Sequence, residues 1–267
     1  MRYLAVAAGA FGLALLLSSP VLAQVPDFYW EEPVRLSRGV GAYPQVVRTA
    51  GRVVVIWQEN QRGSDGGQAW LSLVSYAPDG KPASRDRFAG PFTYSGEAPV
   101  LFSAADDGNG TMTVAASSGE RSISLYRSLD GGLTFGQPLI IEADEPGVAP
   151  RIFSGSAGGW YLFITRSQQF SRKQAGSDEA ITYESLSIFL SRSADGTSWS
   201  PFAPFVGGEV VLDPNFLSSA SSLDGADVVV FQTLSGGARP SYQLYSMTSA
   251  DGGATWSQPV RVTTFAD

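Results

Sequence analysis

An all-β chain built of four-stranded antiparallel blades is predicted by three observations. Short runs rich in Val, Ile, Phe and Tyr, bounded by Gly, Asp, Asn and Ser, recur along the chain and read as strands. The runs fall into four successive groups, each opening on a proline: Pro44, Pro99, Pro150 and Pro214. A polar, glycine-rich phrase ending in an aromatic follows the third run in three groups: SLDGGLTF at 128–135, SADGTSW at 193–199 and SADGGATW at 249–256. Four strands per repeat make one blade of a β-propeller. A single blade cannot bury both faces, so neighbours must stack on it.

The elements follow in order. The opening runs are YPQVV at 43–47, APVLF at 98–102, APRIF at 149–153 and DPNFL at 213–217. Second runs are RVVVIW at 52–57, TMTVAA at 111–116, WYLFIT at 160–165 and DVVVFQ at 227–232. Third runs are AWLSLVSY at 69–76, RSISLYRS at 121–128, ESLSIFLSRS at 184–193 and SYQLYSMTS at 241–249. Closing runs are FGQPLII at 135–141, WSPFAPFV at 199–206 and WSQPVRV at 256–262. Several alternate polar and apolar residues, as half-buried strands do. The blades span about 43–97, 98–147, 148–208 and 212–263. YWEEPVRLSRG at 29–39 reads as one extra N-terminal strand, since Trp30, Pro33 and Val34 echo Trp256, Pro259 and Val260. The expected architecture is an incomplete propeller of about four blades, or part of a six-bladed ring. Its unpaired edge invites self-association or further C-terminal blades.

Residues 1–23 read as a secretory signal peptide: Arg2, an apolar stretch over 4–17, and small residues before a cut ahead of Gln24. The apolar run is shorter than the ~20 residues of a spanning helix. The mature domain, 24–267, is expected in the periplasm, at the cell surface or secreted, with no membrane association after cleavage. The chain has 18 basic and 25 acidic residues, and its basic residues are scattered. Nucleic acid is therefore not an expected partner. There is no cysteine and no histidine. Disulfides, thiol catalysis, Cys or His zinc sites and imidazole acid–base chemistry are all excluded. No cofactor and no metal is expected; DDGNG at 106–110 lacks full calcium-loop spacing and reads as a hairpin turn.

The phrase resembles the Asp-box, or bacterial neuraminidase repeat, S-x-D-x-G-x-T-W. Ser128, Asp130, Gly132, Thr134 and Phe135 match it with Phe for Trp, and Ser249, Asp251, Gly253, Thr255 and Trp256 match it fully. Ser193, Asp195, Gly196, Ser198 and Trp199 match with one position deleted, which predicts a distorted turn. In the first unit SYAPDGKP at 75–82 keeps a turn and loses the box. The resemblance is to the sialidase-like propeller superfamily. In that setting the Ser and Asp side chains bond backbone groups of a tight turn, glycines permit positive φ, and the aromatic anchors the corner. The boxes are structural, and they mark the face away from the substrate.

The resemblance then directs attention to the opposite face. Its candidate binding residues are Tyr43, Gln45, Arg151, Asp213 and Asn215 on first strands, and Trp57, Gln58, Glu59, Arg166 and Gln232 at the ends of second strands. A family sialidase needs three arginines, a Tyr–Glu nucleophile pair and an Asp acid/base. Arg151 stands in PRI rather than the family's R-I-P, and Tyr183 and Glu184 are adjacent, so a strand would point them to opposite sides. No catalytic residue is assigned. The leading reading is a carbohydrate- or protein-binding scaffold. An exo-sialidase or related glycoside hydrolase, and a structural module of an envelope assembly, stand as alternatives.

Overall fold

The computed structural model describes residues 33–63, 66–94, 101–117, 121–142, 147–173, 180–206, 217–221, 225–234 and 242–263. The chain divides into a short unit, Met1–Arg35, and a compact unit, Leu36–Asp267. The second unit holds the sixteen described strands, in four antiparallel sheets ordered as the chain runs. Sheet one comprises β1 (Val40–Thr49), β2 (Arg52–Gly63), β3 (Gly66–Tyr76) and β4 (Pro82–Tyr94). Sheet two comprises β5 (Phe102–Asp106), β6 (Met112–Ser117), β7 (Ser122–Ser128) and β8 (Leu139–Glu142). Sheet three holds β9 (Gly147–Ser154), β10 (Trp160–Lys173), β11 (Ala180–Ser193) and β12 (Ala203–Val206). Sheet four holds β13 (Ser218–Ser221), β14 (Asp227–Leu234), β15 (Tyr242–Ser249) and β16 (Val260–Arg261). The four-stranded blades anticipated from the sequence are therefore present.

Each sheet packs on the next. Val54, Ile56 and Leu71 of sheet one share a core with Met112, Val114 and Tyr126 of sheet two. Ala115 and Leu125 of sheet two share a second core with Ile152, Leu162 and Ile164 of sheet three. Phe163 and Ile188 of sheet three join Val229, Phe231 and Met247 of sheet four in a third. Strand alternation explains the arrangement: Val114 and Ala115 are neighbours in β6, and they serve opposite interfaces. Among the described residues, no core joins sheet four to sheet one.

Two of the opening prolines have a definite backbone role. The β1–β2 ladder slips between Ala42 and Gln45, and the β9–β10 ladder slips between Phe163 and Thr165. In each bulge the residue before proline has positive φ: Tyr43 at 53° and Ala149 at 54°. Proline has no amide for the ladder, so a bulge is where an inner strand can hold it. Beyond the first bulge, the Gln45 amide Nε2 donates to the Phe102 carbonyl at 2.8 Å, and the Ala104 amide donates to Gln45 Oε1 at 3.1 Å. At the next junction Ser154 Oγ donates to the Asp106 carbonyl at 2.6 Å. First strands are thus joined sheet to sheet by side-chain hydrogen bonds. Pro99 and Pro214 lie outside the described residues.

The three serine–aspartate hairpins link third to fourth strands. Ser128 Oγ donates to Asp130 Oδ1 at 2.7 Å and accepts from the Gly132 amide at 2.8 Å. The Asp130 carboxylate also accepts from the Leu133 and Thr134 amides, and from Thr134 Oγ1 at 2.6 Å. Ser249, Asp251, Gly253 and Thr255 repeat the pattern. The expected distortion at 193–199 is not found. The turn is shorter by one residue and keeps the network: Thr197, rather than Ser198, gives the hydroxyl to Asp195 (2.7 Å), and Ser198 gives its amide. In the sheet-one turn Asp79 Oδ1 accepts from the Lys81 amide, and the backbone closes it from Ala77 to Lys81 and from Gly80 to Ala77.

The hairpin aromatics reach backward to the preceding sheet. Phe135 stacks on Phe88 of sheet one at 4.3 Å between centroids. Trp199 packs on the core between sheets two and three. Trp256 meets Tyr161 and Phe205 of sheet three edge-on, at 5.8 and 5.2 Å. Phe135 and Trp256 are half-buried. The fourth strands begin at residues 139, 203 and 260, although the residue after each aromatic already donates its amide to the third strand, Gly136 to the Arg127 carbonyl, Ser200 to Arg192 and Ser257 to Thr248.

These carboxylates set an acid limit. Burial raises the Asp130 pKa, but the Thr134 hydroxyl and amide, the Ser128 hydroxyl and the Leu133 amide outweigh it and hold it at about 2. The Thr255 hydroxyl and amide, with Ser249, hold Asp251 at about 2. The Thr197 hydroxyl and its neighbours lower Asp195 as well. A carboxyl depressed in the folded state stabilises above its unfolded pKa, and that contribution is lost as pH falls through the folded value. Stability is therefore expected to drop between about pH 4 and pH 2. Melting curves across that range should show a shallower drop in Asp130→Asn and Asp251→Asn, with lower melting temperatures at neutral pH.

The extra N-terminal strand expected at 29–39 is not seen in its described part. Residues 33–39 are in no strand, and residues 29–32 lie outside the described set. Pro33 has no amide to give, and the Arg38 amide donates to the Glu59 side chain at 2.9 Å instead of to a ladder.

Candidate functional site

The sequence candidates do not gather in one place. Gln45 is committed to the junction of sheets one and two. Gln58 is fully buried on the side of β2 that faces sheet two, with its Nε2 donating to Asn60 Oδ1. Arg166 is buried with its guanidinium over the rings of Phe189 (4.6 Å) and Phe202 (5.2 Å). Tyr43 is exposed on its bulge. Arg151 pairs with Phe163 in the β9–β10 ladder and is half-buried. Gln232 is half-buried opposite Leu244. Asp213 and Asn215 lie outside the described residues.

Trp57 and Glu59 do come together, with residues that sequence reasoning missed. In the ladder Trp57 pairs with Ser72, Ser72 with Arg87, and Glu59 with Trp70. Period two places all of them on the face of sheet one that is turned away from sheet two. Trp57, Glu59, Ser72 and Arg87 line a cavity of about 210 Å³, to which Arg38, Arg85 and Asp86 also contribute. Glu59 is 3% exposed. Its Oε1 accepts from the Arg38 amide at 2.9 Å, and its Oε2 accepts from Arg87 Nε at 3.0 Å. The Arg87 guanidinium also lies 4.5 Å from the Trp70 ring centre, a cation–π contact that fixes its plane.

The electrostatics favour an ionised acceptor. Burial pushes the Glu59 carboxyl up, but the Arg38 amide, the Arg87 guanidinium, Trp57 and Ser72 together bring it below the ordinary value. Trp57 Nε1–H and Ser72 Oγ–H both favour that charge. Both atoms are buried. The cavity thus offers one carboxylate, an indole face and nearby guanidinium groups. RDR at 85–87 was the available signal, because its alternation puts both arginines on the Glu59 face.

No protein-family model matches the sequence, and comparison with curated proteins finds no match. Solved structures do resemble it. A protein of unknown function from Dyadobacter fermentans DSM 18053 matches with TM-score 0.51 and 18% identity, over 83% of this chain and 68% of that one. An α-L-arabinofuranosidase from Fusarium graminearum, bound to an iminosugar inhibitor, matches with TM-score 0.51 and 12% identity, over 80% and 63%. The six-bladed β-propeller lectin of Aleuria aurantia matches at TM-score 0.46 and 15% identity, over 80% and 58%. This chain therefore spans about two thirds of the length of its structural neighbours. The protein is a β-propeller of four described blades.

Proposed function

We propose that this chain is a non-catalytic, carbohydrate-binding propeller module of the sialidase-like, Asp-box kind. The observation that carries the reading is the cavity in which the ionised Glu59 stands beside Trp57, Ser72, Arg85 and Arg87. A sugar hydroxyl both donates and accepts, so it answers a carboxylate and an N–H donor at once. The cavity is smaller than the ~300–1,000 Å³ of drug-sized sites and suits a single sugar ring. Glycosidase chemistry calls for a carboxylic acid with a raised pKa beside a second carboxylate. Glu59 is instead lowered and paired with Arg87, which suits holding a hydroxyl rather than protonating a leaving group.

The test is binding to a panel of neutral and acidic oligosaccharides, followed by titration calorimetry on any that bind. Glu59→Gln and Ser72→Ala should each weaken binding by about 10- to 100-fold, the worth of a charge-assisted or buried hydrogen bond. Equal affinity in both variants would remove the pocket from the reading. Hydrolysis of a fluorogenic sialoside or arabinofuranoside that disappears in Glu59→Gln would establish the hydrolase instead. The leader over 1–23 is read as an export signal, and intact-mass measurement of exported protein should show a chain that begins at Gln24.

A further inference from the structure

We infer that Asn109 is a self-modifying site, where the amide of the following glycine converts the asparagine into aspartate and isoaspartate. The asparagines of the chain are Asn60, Asn109 and Asn215, and only Asn109 is followed by glycine. It is exposed, at the tip of the turn between β5 and β6. The carboxylates of this turn are engaged with its own backbone. Asp106 Oδ1 accepts from the Gly108 amide at 2.7 Å, and Asp107 Oδ1 accepts from the Asn109 and Thr111 amides at 2.8 and 3.0 Å. Gly108 and Gly110 have φ of +80° and +94°, the left-handed backbone that puts a glycine on each side of Asn109. The asparagine side chain is held loosely: its Nδ2 lies 3.5 Å from the Asp107 carbonyl, at the outer limit of a hydrogen bond. Among the described residues nothing accepts from the Gly110 amide.

The chemistry needs only these two residues and water. The Gly110 nitrogen attacks Asn109 Cγ. A bond forms between that nitrogen and Cγ, the bond from Cγ to Nδ2 breaks, and the amide proton leaves with Nδ2 as ammonia. The product is a cyclic imide. Water then opens it at one of two carbonyls. Opening at Cγ gives aspartate, and opening at the main-chain carbonyl gives isoaspartate, in which the chain runs through Cβ and Cγ. Glycine is the residue that permits the attack, because no side chain at 110 shields the nitrogen. Gly110 is buried, and its carbonyl accepts from the Gly131 amide at 3.0 Å. The partner that moves is therefore the exposed Asn109 side chain, which turns onto the fixed amide. Either product adds a negative charge to a turn that already holds Asp106 and Asp107. The turn shares no residue with the Glu59 cavity, so the inference does not rest on the glycan reading.

The experiment is incubation of the purified, folded protein in mildly alkaline buffer made with heavy-oxygen water. Samples taken over time are read by ion exchange, peptide mass mapping and labelling with an isoaspartyl methyltransferase. A form more acidic by one charge should accumulate, with its change confined to the peptide that holds Asn109. That peptide should carry one solvent oxygen and contain both aspartate and isoaspartate. Asn109→Gln should lose the acidic form, since its longer side chain closes a ring far more slowly, and Asn109→Asp should elute at the acidic position from the start. A free peptide of residues 104–114 sets the time scale. Folded protein whose Asn109 stays intact while that peptide is fully converted would overturn the proposal. So would an acidic form that persists in Asn109→Gln, or one that contains no isoaspartate.

Discussion

Replacing Gly253 with valine should destabilise the protein more than any other single change in the three hairpins. Gly253 has φ of +79°, a region that costs a branched residue about 1–3 kcal/mol. A Cβ there would stand 2.3 Å from Tyr161 Cε1, well inside contact distance. The ring has nowhere to go, because its hydroxyl is held by Asp227 and Trp256 packs against it. Overpacking of this kind adds about 1–3 kcal/mol. Alanine variants should rank in the same way. At Gly132 the nearest atom to an added Cβ is Val54 Cγ2 at 2.8 Å, the end of a side chain that can rotate. At Gly131 it is Arg52 Cδ at 3.5 Å, leaving only the cost of positive φ. Denaturant melts should give Gly253→Ala the largest loss, then Gly132→Ala, then Gly131→Ala. A Gly253→Ala variant no worse than Gly131→Ala would contradict this packing account.

Asp227→Ala should cost about 2–5 kcal/mol. Asp227 is 3% exposed and stands at the start of β14, where it bridges sheets three and four. Its Oδ2 accepts from the Tyr161 hydroxyl at 2.6 Å, and its Oδ1 accepts from the Ser156 amide at 2.7 Å. Alanine strands the buried Tyr161 hydroxyl, at about 1–3 kcal/mol, and removes the acceptor that ties the exposed Ser156 amide to sheet four. Asp227→Asn keeps one acceptor and should lose less. The same pair fixes an alkaline limit. Burial, the hydrogen bond to Asp227 and the charge of that carboxylate all raise the Tyr161 pKa above its ordinary value. A group raised in the folded state stabilises fully below its unfolded pKa, about 10 for tyrosine, and loses that contribution as pH rises through the folded value. The wild type should therefore weaken above about pH 10, and Tyr161→Phe should flatten that dependence. Melts between pH 8 and 12 read both effects.

The structure also gives a reason for the turn that lacks the phrase. Phe135, Trp199 and Trp256 each anchor on the sheet before their own. Sheet one has no described sheet before it, and its SYAPDGKP turn carries no aromatic at the corresponding corner. The turn without the box thus belongs to the sheet that has no described sheet before it.

Several features were legible in the residues alone: strand runs, four-fold grouping, and hairpins whose partners lie within five positions of one another. Ser128, Asp130 and Thr134 meet because a tight turn brings them together whatever the rest of the chain does, and so the phrase reads directly. Even there, the shift from Ser198 to Thr197 needed the actual path of the shortened loop. The pocket was beyond that reach. Glu59 is joined to Arg38 and Arg87 across separations of 21 and 28 residues, and Tyr161 to Asp227 across 66. Such meetings depend on ladder register, and one bulge at Tyr43 or Ala149 changes which side chains share a face. Gln45 and Arg166 looked like ligand-facing residues because polar side chains near strand ends read as exposed. Sheet-to-sheet packing decided otherwise: it gave Gln45 two backbone groups of the next sheet and laid Arg166 on two aromatic rings. Local chemistry made the strands and the hairpins, and only the stacking of sheets determined which faces were used up and which were left open.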